Sequence, residues 1–151
     1  MAVKPENTFI RSVNKFLPDV YKEKMYNPYR SGTPDVWYSG DIGDIWIEYK
    51  YIPKIPKSLK IVPALTPSQL KWLKDRHAEG RNIAVILGCP AGGVFLHNLD
   101  WEIPMTSEEM IMRLRSRESL AKDILAWTGR SQCLTNSYKQ RGRATPYTKS
   151  S

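Results

Sequence analysis

The sequence predicts an α/β fold, a small mixed β-sheet flanked by helices, in a chain of 151 residues. Three stretches predict it. Residues 44–52 alternate, with Ile45, Ile47 and Tyr49 on one side and Trp46, Glu48 and Lys50 on the other, the period of a half-buried strand. Ile83-Ala84-Val85-Ile86-Leu87 is a continuous apolar run, typical of a strand covered on both faces. Between them Thr66-Pro67 opens a helix, with threonine at the N-cap and proline in the first turn. The order helix, hairpin, helix, strand, strand, helix builds an α/β sandwich around such a sheet.

Phe9, Ile10, Val13, Phe16 and Leu17 recur at helical spacing after Pro5-Glu6-Asn7-Thr8, and Pro18 stops this first helix. Tyr21 to Tyr29 is aromatic and basic and reads as an irregular strand or loop. Arg30-Ser31-Gly32-Thr33-Pro34 is a turn, Asp35-Val36-Trp37-Tyr38 a strand, and Ser39-Gly40-Asp41-Ile42-Gly43 the reversal into the alternating strand. Pro53 to Pro63 holds three prolines and three lysines, the composition of an exposed loop. Leu70 and Leu73, with Trp72, give the next helix its apolar face, and Gly80 ends it. Gly88 to Gly93 reads as a turn and Val94-Phe95-Leu96 as a further strand. Thr106-Ser107-Glu108-Glu109 is a capping box ahead of a helix bearing Ile111, Met112 and Leu114. Leu120 to Trp127 continues that helix or forms another. The domain is expected to span 1–127, followed by a polar, basic tail over 128–151.

Apolar residues make up 41% of the chain, enough for a packed core. No run approaches the roughly 20 apolar residues of a membrane span, and no secretory leader is expected at Met1 to Glu6. Two cysteines, Cys89 and Cys133, cannot build a Cys-rich zinc site or a disulfide framework, and His77 and His97 lack paired ligand spacing. A reducing cytoplasm is the expected compartment. Lys and Arg number 23 against 15 Asp and Glu, a formal charge of +8, which suits a phosphate-rich partner.

The chemistry concentrates where Asp35 opens one strand and Glu48 and Lys50 lie in the next, at the same end of a hairpin. Close carboxylates repel unless a cation sits between them, and hard divalent ions prefer oxygen ligands. A lysine beside that cation orients or deprotonates a water, or neutralises a phosphate, so the set suits metal-assisted phosphodiester hydrolysis. Each residue also has an ordinary reading. An aspartate after proline caps a turn, Glu48 is a solvated strand residue, Lys50 makes a salt bridge to Glu48, Glu6 suits the first turn of its helix, and Gln69 is a surface glutamine. Asp41 and Asp44 read as turn residues, and His77 and His97 as packing or surface residues. Trp37, Tyr38 and Trp46 are core aromatics or base-stacking platforms.

Taken together, Arg30-Ser31-Gly32-Thr33-Pro34-Asp35, Ile47-Glu48-Tyr49-Lys50 and Thr66-Pro67-Ser68-Gln69-Leu70, followed by Ile83-Ala84-Val85-Ile86, resemble the PD-(D/E)xK nuclease superfamily. Within it the likeness is to the small VRR-NUC and Holliday-junction-resolvase-like members, often encoded by phages. It covers roughly residues 5–97; the proline- and lysine-rich loop and the segment after Leu99 depart from the family pattern. The resemblance implies a restriction-endonuclease-like core and a DNA endonuclease dependent on Mg²⁺ or Mn²⁺. It implies Asp35 and Glu48 as metal ligands, the Tyr49 backbone carbonyl as a third oxygen, and Glu6 approaching the metal through water. Lys50 would position the attacking water, and Gln69 would contact that lysine, the water or a phosphate. DNA would meet Arg30, Lys54, Lys57, Lys60, Lys71, Arg141 and Arg143. Branched DNA such as a four-way junction is among the implied substrates, as is a homodimer with residues 108–127 offering one apolar face; no membrane is implied. The alternatives are an inactive nucleic-acid-binding module of the same fold and a phage protein that binds a host protein.

Overall fold

The alternating stretch becomes the middle strand of a five-stranded sheet, ordered β1 (Tyr21–Lys24), β2 (Val36–Ser39), β3 (Asp44–Tyr51), β4 (Ile83–Cys89), β5 (Gly92–His97). These elements come from a computed structural model that describes residues 4–17, 20–26 and 31–129. β1, β2 and β3 are antiparallel neighbours, β3 and β4 run parallel, and β4 and β5 form an antiparallel hairpin. A parallel step needs a long return; residues 52–66 and helix α2 (Pro67–Ala78) provide it.

Helices α1 (Pro5–Asn14) and α4 (Arg117–Thr128) cover one face of the sheet. There Phe9, Val13, Leu120 and Ile124 pack on Val36, Tyr38, Ile45, Ile47 and Tyr49. The other face is covered by α2, a 3-10 turn (Asp100–Glu102) and α3 (Ser107–Arg113), through Leu73, Trp101 and Met110. The run at 83–87 is apolar throughout because β4 serves both cores. Ala84 and Ile86 face α1 and α4, while Ile83, Val85 and Leu87 face α2 and α3. The small mixed sheet flanked by helices is thus the predicted fold class. Among the described residues no helix is long and apolar enough to cross a membrane.

Some local expectations are narrowed to one of two readings, and others are corrected. Of the strand-or-loop reading of Tyr21 to Tyr29, residues 21–24 take the strand, a regular edge strand held by pairing with β2. Gly88 to Gly93 is not one turn: β4 runs through Gly88 to Cys89, β5 starts at Gly92, and Pro90-Ala91 alone reverse the chain. Glycine stands in the ladder because the Phe9 ring lies on it; a Cβ on Gly88 would sit 2.7 Å from that ring. The loop after β3 is not wholly exposed. Ile61 is buried and pairs with Met105 through two backbone hydrogen bonds of 2.7 and 2.9 Å. The capping box at Thr106 forms as expected. It phases the short α3 so that Met110 is buried while Ile111 and Met112 are 57% and 85% exposed. Residues 117–128 are a separate helix, and the expected 127/128 boundary falls in its last turn, where Thr128 is buried.

Gly32 shows how the fold brings the β2 entry onto α2. Its φ is +97°, and a Cβ there would lie 2.5 Å from the Ser68 carbonyl oxygen. Gly32→Ala is expected to cost ~1–3 kcal/mol from the left-handed backbone alone, with the contact adding to it. A lowered urea midpoint at unchanged slope is the readout.

Candidate active site

Asp35 immediately precedes β2, and extending the β2–β3 register by one step sets it against Glu48. Facing residues of antiparallel strands share a face, here the one covered by α2. Asp35 is held from two sides. Its Oδ2 accepts the Tyr49 backbone N–H at 2.8 Å, and its Oδ1 accepts from Lys24 Nζ at 3.3 Å. Tyr49 N–H is available because β2 has ended at that level of β3. The Tyr49 carbonyl is directed to the same side of the strand.

Glu48 is 2% exposed, the most deeply buried acidic residue described. Its Oε2 accepts from Gln69 Nε2 at 3.1 Å and lies 3.4 Å from Lys50 Nζ. The Gln69 amide is oriented by the helix start. Its Oε1 accepts the Thr66 N–H at 3.0 Å, and its own backbone N–H donates to Thr66 Oγ1 at 3.2 Å, which closes a capping box. With the carbonyl engaged there, the amide NH₂ points to β3. Gln69, which the resemblance sets against the lysine, a water or a phosphate, here donates to Glu48.

Glu6, in the first turn of α1, is half-buried on the same cluster. Burial raises its pKa, and Asp35 raises it further, against Lys50, Lys24 and Lys4. Glu48 is pushed up to about 8, first by burial and then by Asp35, with Glu6 adding and Lys50 opposing. Three carboxylates therefore act on one another, and three lysines only partly compensate.

The donor set fits a hard divalent cation: carboxylates, a strand carbonyl, and a buried glutamate whose charge is disfavoured until more positive charge arrives. Among the described residues, no three Asp, Glu, His or Cys side chains already close into a metal cage. Asp35 is turned to Lys24 and the Tyr49 N–H, and Glu48 to Gln69 and Lys50.

The structure thus brings together Glu6, Asp35, Glu48, Tyr49, Lys50 and Gln69. Lys54, Lys57 and Lys60 stand apart and exposed on the loop after β3, and Lys71 lies on the outer side of α2, paired with Asp75 at 2.8 Å. Arg30, Arg141, Arg143 and the tail beyond Gly129 lie outside the described residues. Asp44 accepts from Trp37 Nε1 at 2.7 Å, and Asp41 is exposed in the β2–β3 reversal, in keeping with turn roles. His97 packs edge-on against Trp127. Tyr38 is core, and its hydroxyl meets those of Tyr49 and Asn14's amide oxygen. Trp37 and Trp46 stack on each other, half-buried. Lys24, which joins the cluster through Asp35, was not among the residues expected there. Its only signal is the alternation in Tyr21-Lys22-Glu23-Lys24, which puts residues 22 and 24 on one face.

No protein-family model matches the chain, and no curated protein matches it. Among solved structures it is similar to Hjc, a Holliday junction resolvase from the archaeal hyperthermophile Archaeoglobus fulgidus, with 13% identity and a TM-score of 0.48, over 77% of this chain and 99% of that one. That likeness concerns the path of the chain and transfers no residue.

Proposed function

We propose that this protein is a divalent-metal-dependent nuclease that hydrolyses DNA phosphodiester bonds, of the PD-(D/E)xK kind. The observation that carries the reading is Glu48. A carboxylate buried at 2% exposure, opposed by Asp35 and Glu6, has a cost that folding alone would not retain. The order of motifs from Arg30 to Leu70 favours the VRR-NUC-like and resolvase-like branch, with branched DNA among its substrates.

Asp35, Glu48 and the Tyr49 carbonyl would hold Mg²⁺ or Mn²⁺, with Glu6 reaching it through water. The ion would supply Lewis-acid polarisation of the phosphoryl oxygens and a more acidic water. Lys50 orients the water that attacks phosphorus and offsets the charge that accumulates on the phosphoryl oxygens. The water oxygen bonds to phosphorus and gives up a proton to solvent, the P–O bond to the departing strand breaks, and the departing oxygen takes up a proton from solvent. Gln69 holds Glu48 in place, and Thr66 holds Gln69. A second copy would find apolar surface at Ile111 and Met112, since Met110, Leu120, Ala121 and Ile124 of the expected 108–127 face are turned inward.

The test is incubation of the full chain with supercoiled, linear and four-way-junction DNA in Mg²⁺, Mn²⁺ or EDTA. Metal-dependent cutting supports the proposal. Retarded DNA that is uncut in every metal supports the inactive binding module instead. Lys57→Ala is expected to weaken DNA affinity about two- to fivefold and to reduce the salt slope by about 1, leaving cleavage chemistry intact. Anisotropy titrations at several salt concentrations check it, and an unchanged slope removes this loop from the DNA surface.

A further inference from the structure

Beside the candidate site, between α1 and the edge strand β1, lies a half-open cleft of about 390 Å³. Five polar side chains line it: Asn7, Arg11 and Asn14 from α1, Lys22 and Lys24 from β1. Their arrangement follows from two periodicities. Positions 7, 11 and 14 form one stripe of a helix. Lys22 and Lys24 pair with Tyr38 and Val36, so they occupy the sheet face that α1 covers. Elsewhere this layer is apolar. At the sheet edge it is filled by three cations and two amides above Ile10 and Val36.

We propose that this cleft binds a phosphate group of the substrate strand, adjacent to the one that is cut; the reference to a cut rests on the nuclease reading. Arg11 brings a fork of donors suited to a phosphate, Lys22 and Lys24 bring point charges, and the amides of Asn7 and Asn14 supply neutral donors. Among the described residues Arg11 has no acidic partner, and Lys22 Nζ donates to the Val20 carbonyl at 3.1 Å. Lys24 links the two places, lining the cleft while its Nζ lies 3.3 Å from Asp35 Oδ1. A phosphate oxygen on the far side of that ammonium would stand about 6 Å from the carboxylate, given a charge-assisted contact of about 2.8 Å. That separation suits a neighbouring phosphate better than the scissile one. The volume is within the range of small-ligand sites, so the group is either an internal diester or the phosphomonoester at a strand end.

The test uses the full chain in EDTA, so that binding is read without cutting. The probes are fluorescent duplexes with and without a 5′-terminal phosphate, and deoxythymidine monophosphate followed by backbone NMR shifts. The Arg11→Ala, Lys22→Ala double variant is expected to weaken duplex binding about tenfold and to lower the log–log salt slope by about 2. Its circular dichroism and melting should match the parent protein. The monophosphate should shift the amides of residues 7–14 and 20–24. A loss of affinity on removing the terminal phosphate assigns the cleft to a strand end; equal affinity assigns it to an internal diester. Unchanged affinity and slope in a folded double variant overturn the cleft. If the parent cuts DNA in Mg²⁺ while that variant binds as well as the parent, the cleft fails and the nuclease stands. If the parent never cuts and the slope still drops, the nuclease fails and the cleft stands as a phosphate site.

Discussion

Glu48→Gln is expected to abolish DNA cleavage and, at pH 8, to make the metal-free protein more stable. The folded pKa of Glu48 is raised to about 8 from an ordinary 4.5. Below pH 4.5 the group is protonated in both states, and its contribution to stability is fully present. Between 4.5 and 8 the unfolded chain releases a proton that the folded chain retains, so stability is lost progressively as pH rises through that window. The loss amounts to roughly 4 kcal/mol by pH 8. Glutamine carries no charge to disfavour, and its carbonyl oxygen still accepts from Gln69 and Lys50. The variant should therefore melt roughly 10 °C higher at pH 8 and close to the parent at pH 5. Cleavage should fall at least roughly 10²–10³-fold with the loss of a charged ligand. Thermal melts across pH, beside cleavage gels, check both halves. Parallel melting curves for the two proteins would show that Glu48 is not under electrostatic load.

Asp35→Ala is expected to lose cleavage to a similar extent while leaving stability nearly level. Two effects oppose each other. The Tyr49 N–H loses its 2.8 Å acceptor, at about 1–2 kcal/mol for a partly buried donor. Removing the aspartate also lifts a charge that raises the pKa of both Glu48 and Glu6, which offsets that loss above neutral pH. The pH dependence of melting should accordingly become shallower than in the parent. Calorimetric titration with Mn²⁺ should lose its heat signal. A variant that still cut DNA, or still bound Mn²⁺ as the parent does, would remove Asp35 from the site.

What the sequence made legible was what its local periodicity encodes. β3 shows a strict alternation, β4 is apolar because two cores meet on it, and α2 carries its own start signal in Thr66, Pro67 and Gln69. The hairpin that juxtaposes Asp35 and Glu48 was readable for the same reason, since a short turn joins two local strands. Contacts made between distant segments stayed hidden. Tyr21-Lys22-Glu23-Lys24 has no buried residue and exists as a strand through its pairing with β2, so beyond the shared face of residues 22 and 24 nothing marked the tie between Lys24 and Asp35. Gly88 looked like a turn residue because the Phe9 ring that requires it lies 79 positions earlier in a separate helix. The buried position of α3 was not legible, because apolar spacing over seven residues does not fix phase; the cap turns Met110 inward and leaves Ile111 and Met112 outside.

The stitching of residues 56–61 onto the strand of chain before α3 has a thermodynamic consequence. Besides the Ile61–Met105 pair, Ser107 Oγ donates to the Pro56 carbonyl at 2.5 Å and accepts the Ser58 N–H at 2.9 Å. With prolines at 53, 56 and 63 restricting the backbone, the three lysines between them stand like teeth on a fixed comb. A polyanion docking on such a surface orders side chains but little main chain, so preorganisation spares it the entropic penalty that a slack basic segment imposes.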